Sequence, residues 1–420
     1  MPIRVVWLCN TLVPEMCDVF NIKKGKPESW ITGIYECIKS NSDYELTYLF
    51  PCKKKIKFEE DNIKFISFTQ DKDTTFEEVQ ISEFITVLKD VEPDVIHCFG
   101  TELPHTYAMV RAALATENIK KVVVSIQGLI SLCAEHYYAY LPVEILKKKS
   151  VKDILKNTNI EKETRAFEKR SIYEKLTLQN INHVIGRTEL DNAFCKLQNK
   201  NINYHFCNEI LRESFYKDKW NIDKCQRYSI FVSQSFYPLK GFHLMLEAMP
   251  YILKEYPEAH LYTTGNNPLS MKFKDKIRLS YYNVYIGKLI KKYNLKNSVS
   301  FLGTLDEIGM KKQFLNSNVF VNCSSIENSP NSVCEAMMLG VPVISSDVGG
   351  VKDFIRHGEN GYLYQADAPY MLAHYVMKVF EENNFQRTLY TSSIEIAQKK
   401  QNREINMQTL FQIYKSIANQ

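Results

Sequence analysis

The chain of 420 residues lacks any apolar stretch long enough to span a bilayer, so any membrane contact it makes is expected to be peripheral. Its eleven cysteines are odd in number and include no Cys-x-x-Cys pair. Several lie inside apolar, strand-like runs, where cysteine behaves as a small hydrophobe. This argues against a disulfide framework and a zinc site, and for a reducing, cytoplasmic setting. A charge of one sign is also missing. Lys plus Arg at 53 against Asp plus Glu at 48 gives a formal +5, too slight to suggest nucleic acid as a partner. No repeat of solenoid period occurs. The N-terminus, where Arg4 and Asn10 bracket a short apolar run, reads as a strand and not as a signal peptide.

What is present is the composition of a folded protein, 45% hydrophobic and 24% charged, and the length suggests about two domains. Apolar strands alternate with helical patterns. Arg4 to Cys9, Leu46 to Phe50, Ile63 to Ser67, residues 93–100, Val122 to Ile126 and His183 to Gly186 read as strands of a first series. The stretch from Asn208 to Arg227 is polar and irregular and reads as a crossover. A second series begins at Tyr228 to Ser233 and continues through His260 to Thr264 and Val299 to Gly303. The expectation is an α/β protein with one Rossmann-like domain over 1–207 and another over 208–399. Residues 371–420 read as helical. Lys53 to Lys55 with Lys57, and Lys147 to Lys149 with Lys152 and Lys156, form basic runs. Each is either a solvated face or a membrane-surface patch. Around the second run, Glu135 to Lys175 reads as one helical stretch. Its apolar Ile145, Leu146, Val151, Ile154 and Leu155 recur at helical spacing and either pack on the domain or lie on anionic lipid.

The densest signal is residues 319–364. Val319 to Val321 and Pro342 to Ser345 read as buried strands, and Asn331 to Leu339 between them as a helix closed by Gly340. The loop before the helix therefore lies at a strand's carboxyl end, where open α/β sheets bind ligands. A helix start offers N–H groups and partial positive charge to a phosphate. Glu327 in the loop and Glu335 inside the helix are suited instead to neutral hydroxyls, such as those of a sugar or a ribose. Two acids near a helix start are also common as solvated residues.

The pattern becomes specific over Glu327, Glu335-Ala336, Gly340-Val341-Pro342-Val343, Gly349-Gly350, Asp353 and Gly358 to Gly361. It resembles the signature of retaining glycosyltransferases of the family 4 type, and in particular bacterial capsule and exopolysaccharide transferases, although that family usually has Glu where Asp353 stands. The resemblance implies a GT-B fold, two Rossmann-like domains whose parallel sheets face across a cleft, with the last helix (about 400–420) packed back on the first domain. It implies a nucleoside-diphosphate sugar as donor and a glycan or lipid-linked acceptor, without a metal or other cofactor. Glu327 would take the donor sugar, Glu335 the ribose, and Asn331, Ser332 and Val333 the diphosphate. Lys240-Gly241 matches the family's Lys-Gly, whose cation clamps the diphosphate, while Gln234 and Ser235 stand where an Arg is usual. Arg187 is one residue that would compensate.

On the acceptor side the resemblance points to two loops at strand ends. One runs from Asn10 to Trp30, with Glu28-Ser29 where relatives carry Gly-Gly. The other is Gly100 to His105, with Glu102 and His105 as candidate contacts; a lone loop histidine is also a common surface residue. Gln127 occupies the place of a histidine that lies close to the donor sugar in many relatives. It can donate and accept hydrogen bonds but is no base at neutral pH. The expected function is retaining sugar transfer in surface polysaccharide synthesis, in the cytoplasm or at the inner face of the membrane. A catalytically silent nucleotide-sugar-binding protein and a sugar-nucleotide epimerase are the alternatives.

Overall fold

The computed structural model describes residues 1–22, 29–70, 75–270, 272–381 and 385–420. The chain divides into two compact units: 1–131 with 166–212 and 401–420, and 132–165 with 213–400. The division after Arg212 lies five residues beyond the expected 207. A larger difference is that 132–165, expected in the first unit, groups with the second.

Among the described residues the first unit holds an eight-stranded sheet in the spatial order Lys57–Glu60, Ile63–Phe68, Tyr44–Pro51, Ile3–Leu8, Val95–Phe99, Val122–Ser125, His183–Gly186, Asn203–Phe206. Only the first pair is antiparallel. Long apolar runs fit strands covered on both faces, and Val5, Val6, Trp7, Val95, Ile96 and Val122 to Val124 are fully buried. Helix Arg403–Ala418 belongs to this unit and places Met407, Leu410, Tyr414 and Ile417, one helical face, in the same core as Trp7, Tyr35 and Tyr48. A chain of polar contacts runs through that core. Trp7 Nε1 donates to the Tyr414 hydroxyl (2.9 Å), which lies 2.6 Å from His97 Nδ1, and His97 Nε2 lies 2.6 Å from Ser125 Oγ. Buried polar groups need such partners.

The second unit holds a six-stranded parallel sheet in the order Val299–Phe301, His260–Thr263, Gln226–Val232, Ser317–Asn322, Val343–Ser346, Tyr362–Tyr364. Phe231, Phe314 and Phe320 pack edge-to-face beneath it. Chain order proceeds outward in one direction from Gln226–Val232 and in the other from Ser317–Asn322. The gap between these two neighbours is therefore the topological switch point, where a crevice opens at the carboxyl ends. In the first unit the same argument selects the ends of Ile3–Leu8 and Val95–Phe99.

Two expectations for loops and helices are corrected. The stretch after the first strand carries a helix, Pro14–Val19, started by Pro14 in its first turn. The expected helix from Glu135 to Lys175 is broken into the end of Ile130–Glu135, then Val143–Leu146, Val151–Leu155 and Ile160–Asn180. Ala139 and Tyr140 take left-handed backbone (φ 48° and 62°) after the first piece, and Asn157 does so at φ 50° after Val151–Leu155.

Burial pushes His97 and His105 down to about 3 and His243 down to about 4. All three stay neutral in the folded protein, while the unfolded chain takes up protons near the ordinary value of 6.5. Folding stability should therefore be fully present above 6.5 and fall as pH drops toward 3. Each histidine steepens the loss by up to about 1.4 kcal/mol per pH unit. Urea unfolding at neutral pH and at about pH 5 measures this, and an unchanged midpoint would contradict it. Tyr414→Phe, which removes the partner of both Trp7 and His97, should cost about 1–3 kcal/mol in the same assay.

Candidate functional site

Two loops leave the carboxyl ends of the paired strands Gln226–Val232 and Ser317–Asn322, where Phe320 lies opposite Phe231. They come into direct contact. Gly241 has φ +63°, and a Cβ there would lie 1.7 Å from the Cys323 carbonyl oxygen. The sequence Lys240-Gly241 thus reflects a close backbone approach that only glycine allows. Ser325 N donates to the Leu239 carbonyl (2.8 Å), and the Cys323 thiol to the Lys240 carbonyl (3.3 Å). The Ser325 hydroxyl reaches the His136 carbonyl (3.0 Å). A third loop enters at Gly349-Gly350, where Gly349 has φ +54° and Gly350 N donates to the Glu327 carbonyl (3.0 Å).

These constraints bring together the two leading candidates. Lys240 Nζ donates to Glu327 Oε1 at 2.6 Å, with side-chain exposures of 24% and 11%. The Ser324 hydroxyl lies 2.6 Å from the same oxygen. Both contacts fall on Oε1, so Oε2 is the oxygen suited to an incoming hydroxyl. Burial works against the Lys240 ammonium, but Glu327, and after it Tyr237, outweigh it and raise its pKa overall. The stabilisation of that raised group holds below its ordinary 10.5 and is lost only in alkali, so Lys240 is a fixed cation at neutral pH. An ammonium with three protons can keep Glu327 and still face a phosphate oxygen.

Helix Asn331–Leu339 follows, with bounds the sequence pattern predicts, ending at Gly340 (φ 82°). Its N-cap residue, Pro330, offers no side-chain cap, and the Pro330 carbonyl accepts from Val333 N (3.0 Å). Asn331 and Ser332 are half-buried and Val333 is buried. Glu335 is only 4% exposed, so its reading as a solvated helix residue does not hold. Gln234 is half-buried in the loop after Gln226–Val232, whereas Ser235 is buried and donates to the Thr264 carbonyl (2.7 Å), which ties it to the sheet.

In the first unit the candidates divide. Gly100 (φ +91°) ends its strand, and a Cβ there would lie 2.0 Å from the Glu102 carboxylate, which folds back over it. Glu102 also faces Gly128, beside half-buried Gln127. Gly100, Glu102 and Gln127 therefore gather at neighbouring strand ends. His105 does not join them. It lies in the first turn of helix Pro104–Ala115, 2% exposed and edge-on to Phe68 at 5.2 Å, so it is a core histidine and not a loop contact. Arg187 is not a spare cation for a phosphate. Its guanidinium pairs with Glu209 (2.7 Å) and donates to the Ile126 and Gln127 carbonyls, all of them buried or half-buried. Trp30 lies in the first turn of helix Ser29–Lys39; its side chain, with Gly25 and Glu28, lies outside the described residues.

Two supporting sets escaped the sequence reading. Asn322, Ser324, Ser345 and Ser346 form a buried ladder beneath the site, in which Asn322 Nδ2 donates to Ser345 Oγ (3.0 Å) and Ser346 Oγ to the Ser324 carbonyl (2.6 Å). Small polar residues ending two apolar strands were the available signal. Glu174 is fully buried and accepts from Thr101 Oγ1, Ile130 N and Ser131 N at 2.8–2.9 Å. It fixes the loop that carries Gln127. Nothing in its local sequence distinguishes it from the exposed acids of the same helix.

Similarity to known proteins covers both units. Residues 213–397 match the model for glycosyl transferases group 1, and residues 38–157 the model for glycosyl transferase 4-like proteins. Spore coat protein SA of Bacillus subtilis is 32% identical over 127 residues, 30% of this chain and 32% of that one. Phosphatidyl-myo-inositol mannosyltransferase of Mycobacterium tuberculosis is 24% identical over 186 residues, 43% of this chain and 45% of that one. The matched region thus spans less than half of these relatives. Sucrose-phosphate synthase of Thermosynechococcus elongatus superposes with a TM-score of 0.71 at 16% identity, covering 99% of both chains. HepE of Anabaena, solved in complex with UDP-glucose, superposes with a TM-score of 0.67 at 13% identity, covering 98% of this chain and 99% of that one.

Gly241→Ala should break the loop contact on which the Lys240–Glu327 pair depends. A loss of about 2 kcal/mol or more of stability is expected from the forced left-handed backbone and the clash. Denaturant unfolding reads it, and a variant as stable as the parent would show that the loops are not so constrained.

Proposed function

From the premise that this chain is a GT-B-fold relative of glycosyltransferases, we propose that it transfers a sugar from a nucleoside-diphosphate donor with retention of configuration, onto a glycan or lipid-linked acceptor of a surface polysaccharide. The observation that carries this reading is the Lys240–Glu327 pair at the switch point, beside the start of helix Asn331–Leu339. A uridine diphosphate donor is supported by the UDP-glucose in HepE, and a lipid-linked acceptor by the mycobacterial relative's name.

In this reading the donor lies wholly on the second unit. The diphosphate rests against the helix start at Asn331 to Val333 and on Lys240, Glu335 takes the ribose, and Glu327 Oε2 accepts from a sugar hydroxyl. The electrostatic demand of the reaction is the charge that grows on the departing phosphate as the glycosidic bond opens. A cation already fixed by a carboxylate stabilises that charge without reorganising. The acceptor hydroxyl gives its proton to the departing phosphate oxygen, on the same face of the sugar that it attacks, a route that fits Gln127, which is no base at neutral pH. Gly100 and Glu102 are the acceptor contacts. The positive charge comes from Lys240 and the helix start, so turnover is expected to survive treatment with a chelator.

Purified protein should be thermally stabilised by a uridine diphosphate sugar and should hydrolyse or transfer it. Lys240→Met and Glu327→Ala should each lower turnover by about 10²–10³-fold while leaving the folded state intact by circular dichroism. A parent protein that binds the donor without turnover would instead identify a silent binding protein, and an active Glu327→Ala would remove the proposed sugar contact.

A further inference from the structure

A five-residue helix in water normally turns its carboxylate out and its aliphatic side chains in. Val151–Leu155 does the reverse. Asp153 is 2% exposed, whereas Val151, Ile154 and Leu155, which share one face at i, i+3 and i+4, are 54%, 65% and 79% exposed. The orientation is imposed by hydrogen bonds. Ser150 and Asp153 form a capping box, Asp153 Oδ2 accepts from Tyr281 N (2.6 Å), and Ser150 Oγ donates to the Leu279 carbonyl (2.6 Å). The helix is thereby fastened to the start of helix Tyr281–Lys292, with its apolar face turned to solvent. On the preceding turn, Val143 is 77% exposed although Ile145 and Leu146 beside it are buried.

Cations surround this face. Lys147, Lys148, Lys149 and Lys156 are exposed; of the acids in this stretch, Asp153 is turned inward and Glu144, beside Val143, is exposed. The stretch that leads into Leu279 has the same character, with Phe273 76% exposed between Lys272 and Lys274. Apolar side chains concentrated on a rigid outer face mark a surface that is covered in use. The lysines say by what. Lysine is depleted from the cores of protein interfaces, and a nucleic acid would gain nothing from Ile154 and Leu155. An anionic bilayer matches both parts: the aliphatic groups enter the acyl boundary, and the ammonium groups meet the lipid phosphates.

We propose that Val151–Leu155, with Val143 and the lysines at 147–149 and 156, is a docking face for the surface of an anionic lipid bilayer. Of the five apolar positions whose role the sequence left open, Ile145 and Leu146 pack on the domain, whereas 151, 154 and 155 do not. Among the described residues no helix is long and apolar enough to cross a membrane, so the contact is one of surface insertion. The inference concerns binding alone and does not depend on sugar transfer. If both hold, the acceptor is one that resides at a membrane.

The test is co-sedimentation of the full chain with vesicles of phosphatidylcholine, with and without phosphatidylglycerol. The parent should sediment with the anionic vesicles and be released by added salt. Ile154→Asp with Leu155→Asp, and separately Lys147→Ala with Lys148→Ala and Lys149→Ala, should each weaken binding at least about tenfold, and the lysine variant should also lose most of the salt dependence. If the double aspartate variant does not fold, Leu155→Ser replaces it. Light scattering without vesicles should find the parent no more associated than the variants. Donor turnover in solution should be equal in all of them, which separates this outcome from that of the transfer reading. A parent that ignores anionic vesicles, variants that bind like the parent, or a self-association that the aspartates abolish would overturn the proposal.

Discussion

A carboxylate and an ammonium 2.6 Å apart at the mouth of a parallel sheet cannot hold that position by their own attraction. A partly exposed ion pair is worth little, since solvent screens it and two long side chains lose freedom. What holds Lys240 against Glu327 is the backbone beneath them. The loops after Gln226–Val232 and Ser317–Asn322 touch at Gly241 and Cys323, and the Gly349-Gly350 loop takes the Glu327 carbonyl. The pair is a consequence of that contact, and the buried ladder from Asn322 to Ser346 supports it from below. A cation oriented in this way before any ligand arrives is the condition under which electrostatic stabilisation is effective.

The two units use the same construction for different ends. Each has a switch point between neighbouring strands and brings loop residues together at strand ends, at the switch point in the second unit and at the ends of Val95–Phe99 and Val122–Ser125 in the first. In the second unit the residues gathered are charged and partly open. In the first, the charged groups are already matched: Arg187 with Glu209 and two carbonyls, Glu174 with a hydroxyl and two backbone N–H groups. A buried charge already held by a partner shapes a loop rather than a reaction.

How much was legible follows the range of the interactions. Helix Asn331–Leu339 was readable because its stop is local: Gly340 adopts φ 82°, which other residues resist. Most strands were readable because a sheet covered on both faces demands long apolar runs, whereas the short edge strands Lys57–Glu60, Asn203–Phe206 and Tyr362–Tyr364 were not. His105 was misjudged because its burial comes from Phe68, on another strand, and not from its neighbours in sequence. Helix Val151–Leu155 shows the limit most clearly. Its letters fit a helix that buries Val151, Ile154 and Leu155, and only the hydrogen bond from Tyr281, 128 residues away, turns Asp153 inward and the aliphatic face outward.

The sequence by itself determined the alternation of most strands and helices and the glycine that ends helix Asn331–Leu339, because each of these rests on neighbours a few residues apart, while the resemblance singled out the acids and the lysine. Tertiary structure alone decided which loops meet, that Lys240 rests on Glu327, that Arg187 is occupied, that 132–165 groups with the second unit, and which way a short helix faces. The reason is physical: a side chain's propensity is set locally, whereas its partner is chosen by whatever the fold brings within hydrogen-bonding distance.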